Sequence, residues 1–207
     1  MIRFLIYSLC CSALLLSCRT YQYPGASGVR ASDLQELNTY YMDTTQALVY
    51  RADAQAFETD LKGNLVIRTL APDVHRVALL SDLGQTLFDI SIFPDKEVAH
   101  FIMADLDRKL IVTEIAAIFR VLTQRTFASS ALVFLDKQHY PVYFVDDTYY
   151  LLQQREVRCI TRVNGSKERF SIEYSDVRNN VPVTVLVEHG KFPLRMQLSL
   201  DKTQSSL

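Results

Sequence analysis

The four histidines of this 207-residue chain, His75, His100, His139 and His189, are scattered along it. No H-E-x-x-H helix and no Cys/His pair at zinc-ligand spacing occurs, so no metal site is expected. Asp105 and Asp107 begin a stretch like a calcium loop, but its glycine and closing glutamate are missing. Those aspartates fit the cap of a following helix instead. Ser129 and Ser130 stand outside any G-x-S-x-G turn and read as loop residues. The run "GASG" at 25–28 follows no strand and opens no clear helix, so it is no dinucleotide fingerprint. Asp146 and Asp147 are adjacent on a strand end, where neighbouring side chains point apart, which argues against a shared-proton dyad. Nothing here assembles into an enzyme's constellation, and no cofactor is implied.

One thiol is placed differently. The chain opens "MIRFLIYSLCCSALLLSCRT", with Arg3 and Arg19 bracketing an apolar run. At about a dozen residues that run matches a signal-peptide core and is too short for a bilayer. Leu15, Leu16 and Ser17 lead directly into Cys18. The pattern resembles a bacterial lipobox: an aliphatic residue three before the cysteine and a small one immediately before it. Cys10 and Cys11 lack the small residue. By that resemblance residues 1–17 are a leader, and Cys18 becomes the lipid-bearing first residue. Each buried CH₂ contributes about 0.8 kcal/mol, so one acyl chain holds marginally and several hold firmly. The protein would then sit on a membrane through its N-terminal lipid without spanning it. No later segment reaches about 18 uninterrupted apolar residues. Of the four cysteines only Cys159 lies in the folded part, so no intrachain disulfide is expected. Its alternating surroundings point to packing and not to a reactive thiol.

The formal net charge of −1 gives no basic excess for nucleic acid. Residues 18–30 read as a flexible tether, and 31–207 as a single domain acting as a monomer. Residues 32–42, with Ser32 as cap and Leu34, Leu37 and Tyr41 at helical spacing, predict a short N-terminal helix. Period-two alternation then predicts strands through "ALVYRADAQAF", "LKGNLVIRTL", "VHRVALLS", "QTLFDISIF" and "VAHFIM". Between residues 105 and 124 the period changes. Leu106, Leu110, Ile111, Ile115, Ile118, Phe119 and Leu122 recur at three and four, the mark of a helix. From Leu110 to Leu122 only Thr113, Glu114 and Arg120 are polar, so something concave must enclose it. Strands resume after about residue 131 and include "EVRCITRV" and "ERFSIEYSDV", joined by the hairpin signal Asn164-Gly165. Arg155, Arg158, Arg162, Lys167 and Arg169, interleaved with Glu156 and Glu168, read as a solvated strand face; the alternative is a patch for lipid headgroups.

The expected fold is α+β: a curved antiparallel sheet of about ten or eleven strands. It forms an open half-barrel around the mid-chain helix and the short N-terminal one. With Cys18, "LKGNLVIRTLAPDVHRVALLSDLGQTLFDISIF" and the final "PLRMQLSL", this order of elements resembles the lipoprotein-localisation superfamily, the periplasmic lipoprotein carrier and its outer-membrane receptor. The resemblance implies a half-barrel with a helical lid over an apolar cavity that accepts acyl chains. It also implies a cell-envelope location, with the lipid anchor on the periplasmic face of the outer membrane. The receptor exposes a leucine to the membrane, and Leu83 in "SDLGQ" either inserts into lipid or folds back on the core. The carrier latches its lid with a strand arginine; whether Arg51 or Arg68 takes that part stays open.

Candidate cavity walls are Leu65, Ile67, Val77, Leu79, Phe88, Ile90 and Ile92 from the sheet, with Ile111, Ile115 and Phe119 from the helix. The first functional reading is a module that binds acyl chains or lipoprotein lipid, with lipid or lipoprotein transfer as its use. The alternative is an anchored domain that docks another envelope component without a ligand. Cavity volume separates them, because ligand sites run to several hundred Å³.

Overall fold

Alternation along the chain becomes strands whose inner residues are buried and outer ones exposed. In the segment 59–71, Leu61, Gly63, Leu65, Ile67 and Thr69 turn inward while Lys62, Asn64 and Arg68 meet solvent. The computed structural model describes residues 20–31, 35–56, 58–129 and 131–201. The leader and Cys18 lie outside the described residues. Among those described, the strands are β1 (Ser27–Ala31), β2 (Glu36–Leu37), β3 (Ala47–Ala56), β4 (Thr59–Ala71), β5 (Val74–Ser81), β6 (Thr86–Ile92) and β7 (Glu97–Ile102). The helix α1 (Lys109–Thr123) follows, then β8 (Thr126–Phe127), β9 (Leu132–Leu135), β10 (Pro141–Val145), β11 (Thr148–Gln153), β12 (Glu156–Asn164), β13 (Lys167–Arg178), β14 (Val181–His189) and β15 (Leu194–Leu200).

Thirteen of these strands make one antiparallel sheet in the order β1-β9-β10-β11-β12-β13-β14-β15-β3-β4-β5-β6-β7. The β2 and β8 pair forms a separate ribbon. The sheet is therefore larger than the expected ten or eleven strands. Its two end strands do not pair, so it stays open.

The sheet must also bend. Six strand steps separate β13 from β6, about 29 Å if laid flat. Yet α1 touches both: Arg169 of β13 ion-pairs with Glu114 at 2.9 Å, and Phe88 of β6 stacks 5.9 Å from Phe119. One helix can reach both only inside a concave sheet. α1 buries Ile111, Glu114, Ile115, Ala116, Ile118, Phe119, Leu122 and Thr123, as an almost all-round apolar helix should. Among the described residues no helix is long and apolar enough to cross a membrane.

Tight turns set the strand order. In the β12–β13 hairpin Asn164 pairs with Lys167, leaving Gly165-Ser166 as a two-residue loop with Gly165 at φ 61°. Glycine in the first loop position is what such a turn requires. The β10–β11 loop is Asp146-Asp147 and the β13–β14 loop Asn179-Asn180, every one of these residues at positive φ. Asp146 and Asp147 are thus a turn.

Ser32 and Leu34 lie outside the described residues, and among the described residues 35–42 the short N-terminal helix is not found. Residues 35–42 hold β2 and a turn, and Leu37 and Tyr41 are buried from this irregular path. The aspartate cap is also corrected: α1 starts after Arg108, which is extended, and no side chain caps it. The segment read as a tether carries β1, which pairs with β9.

Candidate functional site

The concave side of the sheet is the candidate ligand site. Leu65, Ile67, Val77, Leu79, Phe88, Ile90 and Ile92 are all buried there and share one core with Ile111, Ile115 and Phe119 of α1. Register explains this convergence. Leu65 pairs with Leu79, Ile67 with Val77, Leu79 with Phe88, and Val77 with Ile90, so three strands deliver apolar residues to one face.

The helix fills the space these walls enclose. Between α1 and strands β3 to β6 and β15 remains an apolar cavity of about 30 Å³ beside Leu79, Phe88, Ile115, Phe119 and Met196. Acyl-sized ligands need sites of roughly 300–1,000 Å³.

Polar contacts hold α1 along its length. Arg169 donates to both oxygens of Glu114, Nε to Oε2 at 2.9 Å and Nη2 to Oε1 at 3.0 Å. His189 Nδ1 accepts from the backbone N–H groups of Lys191 and Phe192, both at 3.1 Å. Its Nε2 therefore carries the proton and donates to Glu114 Oε2 at 3.1 Å. Burial pushes the Glu114 carboxyl up, but the hydrogen bonds from Arg169 and His189 outweigh it and leave its pKa lowered.

Further along, Arg120 donates to Glu97 at 2.6 Å and to the Phe93 carbonyl at 3.0 Å. Beyond the helix end Arg125 reaches Asp73 at 3.5 Å. The last carbonyls of a helix have no partner inside it. Here Asn38 Nδ2 supplies one, donating to Val121, Leu122 and Gln124 at 3.0, 2.9 and 3.1 Å. Arg51 instead pairs with Asp82 on the outer face, and Arg68 is exposed. The arginine that grips the helix from a strand is Arg169, so it does not belong to the solvated face that its charged neighbours predict.

One end of the core holds a polar cluster. Tyr50 donates to the Pro182 carbonyl at 2.9 Å and Tyr40 to that of Val157 at 2.7 Å. His75 and Thr69 both donate to the Tyr41 carbonyl, at 2.9 and 2.8 Å. Burial pushes the hydroxyls of Tyr40, Tyr41 and Tyr50 up, so these groups stay neutral donors. Among the described residues no three His, Cys, Asp or Glu side chains gather as a metal site.

The outer face carries a second, smaller core. Val142, Tyr149 and Val163 are buried there under Tyr21, Tyr23, Phe134 and Phe144. Cys159 lies beside it, at a cleft of about 430 Å³ shared with Tyr21, Tyr23, Lys137 and Glu168. Burial pushes its thiol up to about 11. Leu83 is 87% exposed at the β5–β6 turn, where Gly84 takes φ 78°.

No family model matches the chain, and no curated protein does. Two solved structures show low similarity. A DUF1329 family protein from Desulfovibrio piger ATCC 29098 is 8% identical at TM-score 0.41, over 77% of this chain and 85% of its own. A domain provisionally described as that of an outer membrane lipoprotein-sorting protein, from Vibrio parahaemolyticus, is 8% identical at TM-score 0.38, over 75% and 83%.

Proposed function

We propose that this protein is a cell-envelope lipoprotein, held by acylated Cys18 on the periplasmic face of the outer membrane, that works through its outer surface by docking another envelope component. The observation that carries this reading is the filled interior: about 30 Å³ of free space cannot hold an acyl chain. The sheet also offers a surface to dock. Among the described residues the edge strand β7 has no strand beyond it, and its Val98 and Phe101 are 41% and 48% exposed. An open edge of that kind pairs with an added strand.

A second reading keeps acyl binding and transfer, with α1 displaced by the ligand. It is favoured by the wall itself, an unbroken apolar surface from β4 to β6. Leu83 would then touch the membrane during transfer.

Two measurements decide. Lipids extracted from the purified full chain should contain no acyl species beyond those on Cys18. A photo-crosslinker at Val98 should give one discrete envelope adduct, lost with Phe101→Glu. A fatty-acyl species recovered with the wild type and lost in folded Ile90→Asp would instead establish the second reading.

A further inference from the structure

We infer that the β12–β13 turn, residues 164–167, faces the bilayer and that the segment 21–24 straps it there. This rests on the reading of Cys18 as the lipid-bearing residue. If Cys18 is acylated, Tyr21 follows it by three residues, so their Cα atoms are at most about 11 Å apart. Tyr21 is not free to swing. Its backbone N–H donates to the Gly165 carbonyl at 3.1 Å, and its carbonyl accepts from the Tyr149 hydroxyl at 3.2 Å. Its ring lies 5.5 Å from that of Tyr149, and the ring of Tyr23 lies 5.3 Å from it.

The direction of the strap fixes the orientation. From Gly165, residues 21–24 run beside β12 toward Thr161, Cys159 and Lys137. The end of this run nearest Cys18 along the chain is Tyr21, and it is held at the β12–β13 turn. Asn164, Gly165, Ser166 and Lys167 are all exposed there. They include one cation and no acid, which suits an anionic headgroup surface. The opposite end of β12, at Gln154-Arg155, is about 27 Å away along the strand. Of the segment read as a tether, Tyr21, Tyr23 and β1 are held by the domain, so the leash from Cys18 to Tyr21 is short.

The test uses the lipidated full chain in phosphatidylethanolamine–phosphatidylglycerol vesicles carrying a headgroup-bound quencher. Fluorophores are placed at Ser166→Cys or Arg155→Cys in a Cys159→Ala background. Quenching at 166 should exceed that at 155 at least about twofold, given their separation along one strand. Tyr21→Ser combined with Tyr23→Ser should erase the difference while circular dichroism stays unchanged. Equal quenching at both sites in the lipidated protein overturns this inference and leaves the anchor intact. A difference that survives loss of both tyrosines overturns the strap. An N-terminal peptide whose mass shows Cys18 unmodified overturns the anchor and this inference together.

Discussion

His75 has no solvent contact, and its Nδ1 is left without a hydrogen-bond partner among the described residues. Its Nε2 donates to the Tyr41 carbonyl, and burial lowers its pKa and so favours the neutral ring. The unfolded chain takes up a proton on this side chain near pH 6.5, before the folded one does. Stability contributed by the neutral ring is thus complete above that pH and is lost as pH falls toward the lower folded value. We expect the urea midpoint to drop between about pH 7 and pH 5 and the His75→Gln variant to lack that slope. An unchanged slope would show that other groups carry it; the lowered carboxyls of Asp82, Asp89 and Glu114 act only at lower pH. Legibility differs sharply at this scale. The ten wall residues were readable because apolar type and strand or helix period coincide. His75 and Glu114 were not, because a polar residue in the core is explained only by partners far along the chain, such as Arg169 and His189 for Glu114.

At the scale of elements, α1 is held at its C-terminal end as well as by its apolar faces. Asn38 is buried and its amide serves three carbonyls at the C-terminal end. Asn38→Ala should destabilise the fold by about 1–3 kcal/mol, the cost of leaving buried polar groups unmet. Asn38→Asp should be no better, since a carboxylate has no N–H to donate. Equilibrium unfolding measures both, and a change below about 0.5 kcal/mol would mean that water replaces the cap. The long strands β3 to β6 and β12 to β15 were legible from clean alternation between a buried and a wet face. β2 and β8 have two residues each, too few for any period, and exist because each pairs with the other. The predicted helix at 32–42 failed for a related reason. Leu37 and Tyr41 are four apart and both buried, but a turn between them brings them to one side without helical hydrogen bonds. Loops were half legible: Gly165 announces its turn, whereas Gln154-Arg155 take positive φ with no glycine to signal it.

For the whole molecule, the question is whether sheet and helix behave as one body. A docking protein needs a single rigid fold, with α1 opening only when the sheet does. A carrier of acyl chains needs α1 to leave while the sheet stays, because the helix occupies the space beside the β4 to β6 wall. Hydrogen exchange separates these cases, since local opening and global unfolding differ in free energy. We expect the amides of Ile115 to Leu122 to exchange as slowly as those of β4 and β5, with no acceleration by short-chain phosphatidylglycerol. Phe119→Ala provides the complementary perturbation. It removes a buried ring beside the 30 Å³ cavity and should cost about 3–5 kcal/mol. The enlarged apolar void should then bind small hydrocarbons such as benzene, as engineered cavities of about 150 Å³ do, while the wild type binds none. If α1 exchanges much faster than the sheet once lipid is added, the helix is a lid and the second reading replaces the first. If the two stay coupled and only Phe119→Ala takes up hydrocarbon, the interior is structural and the outer surface is where function must be sought.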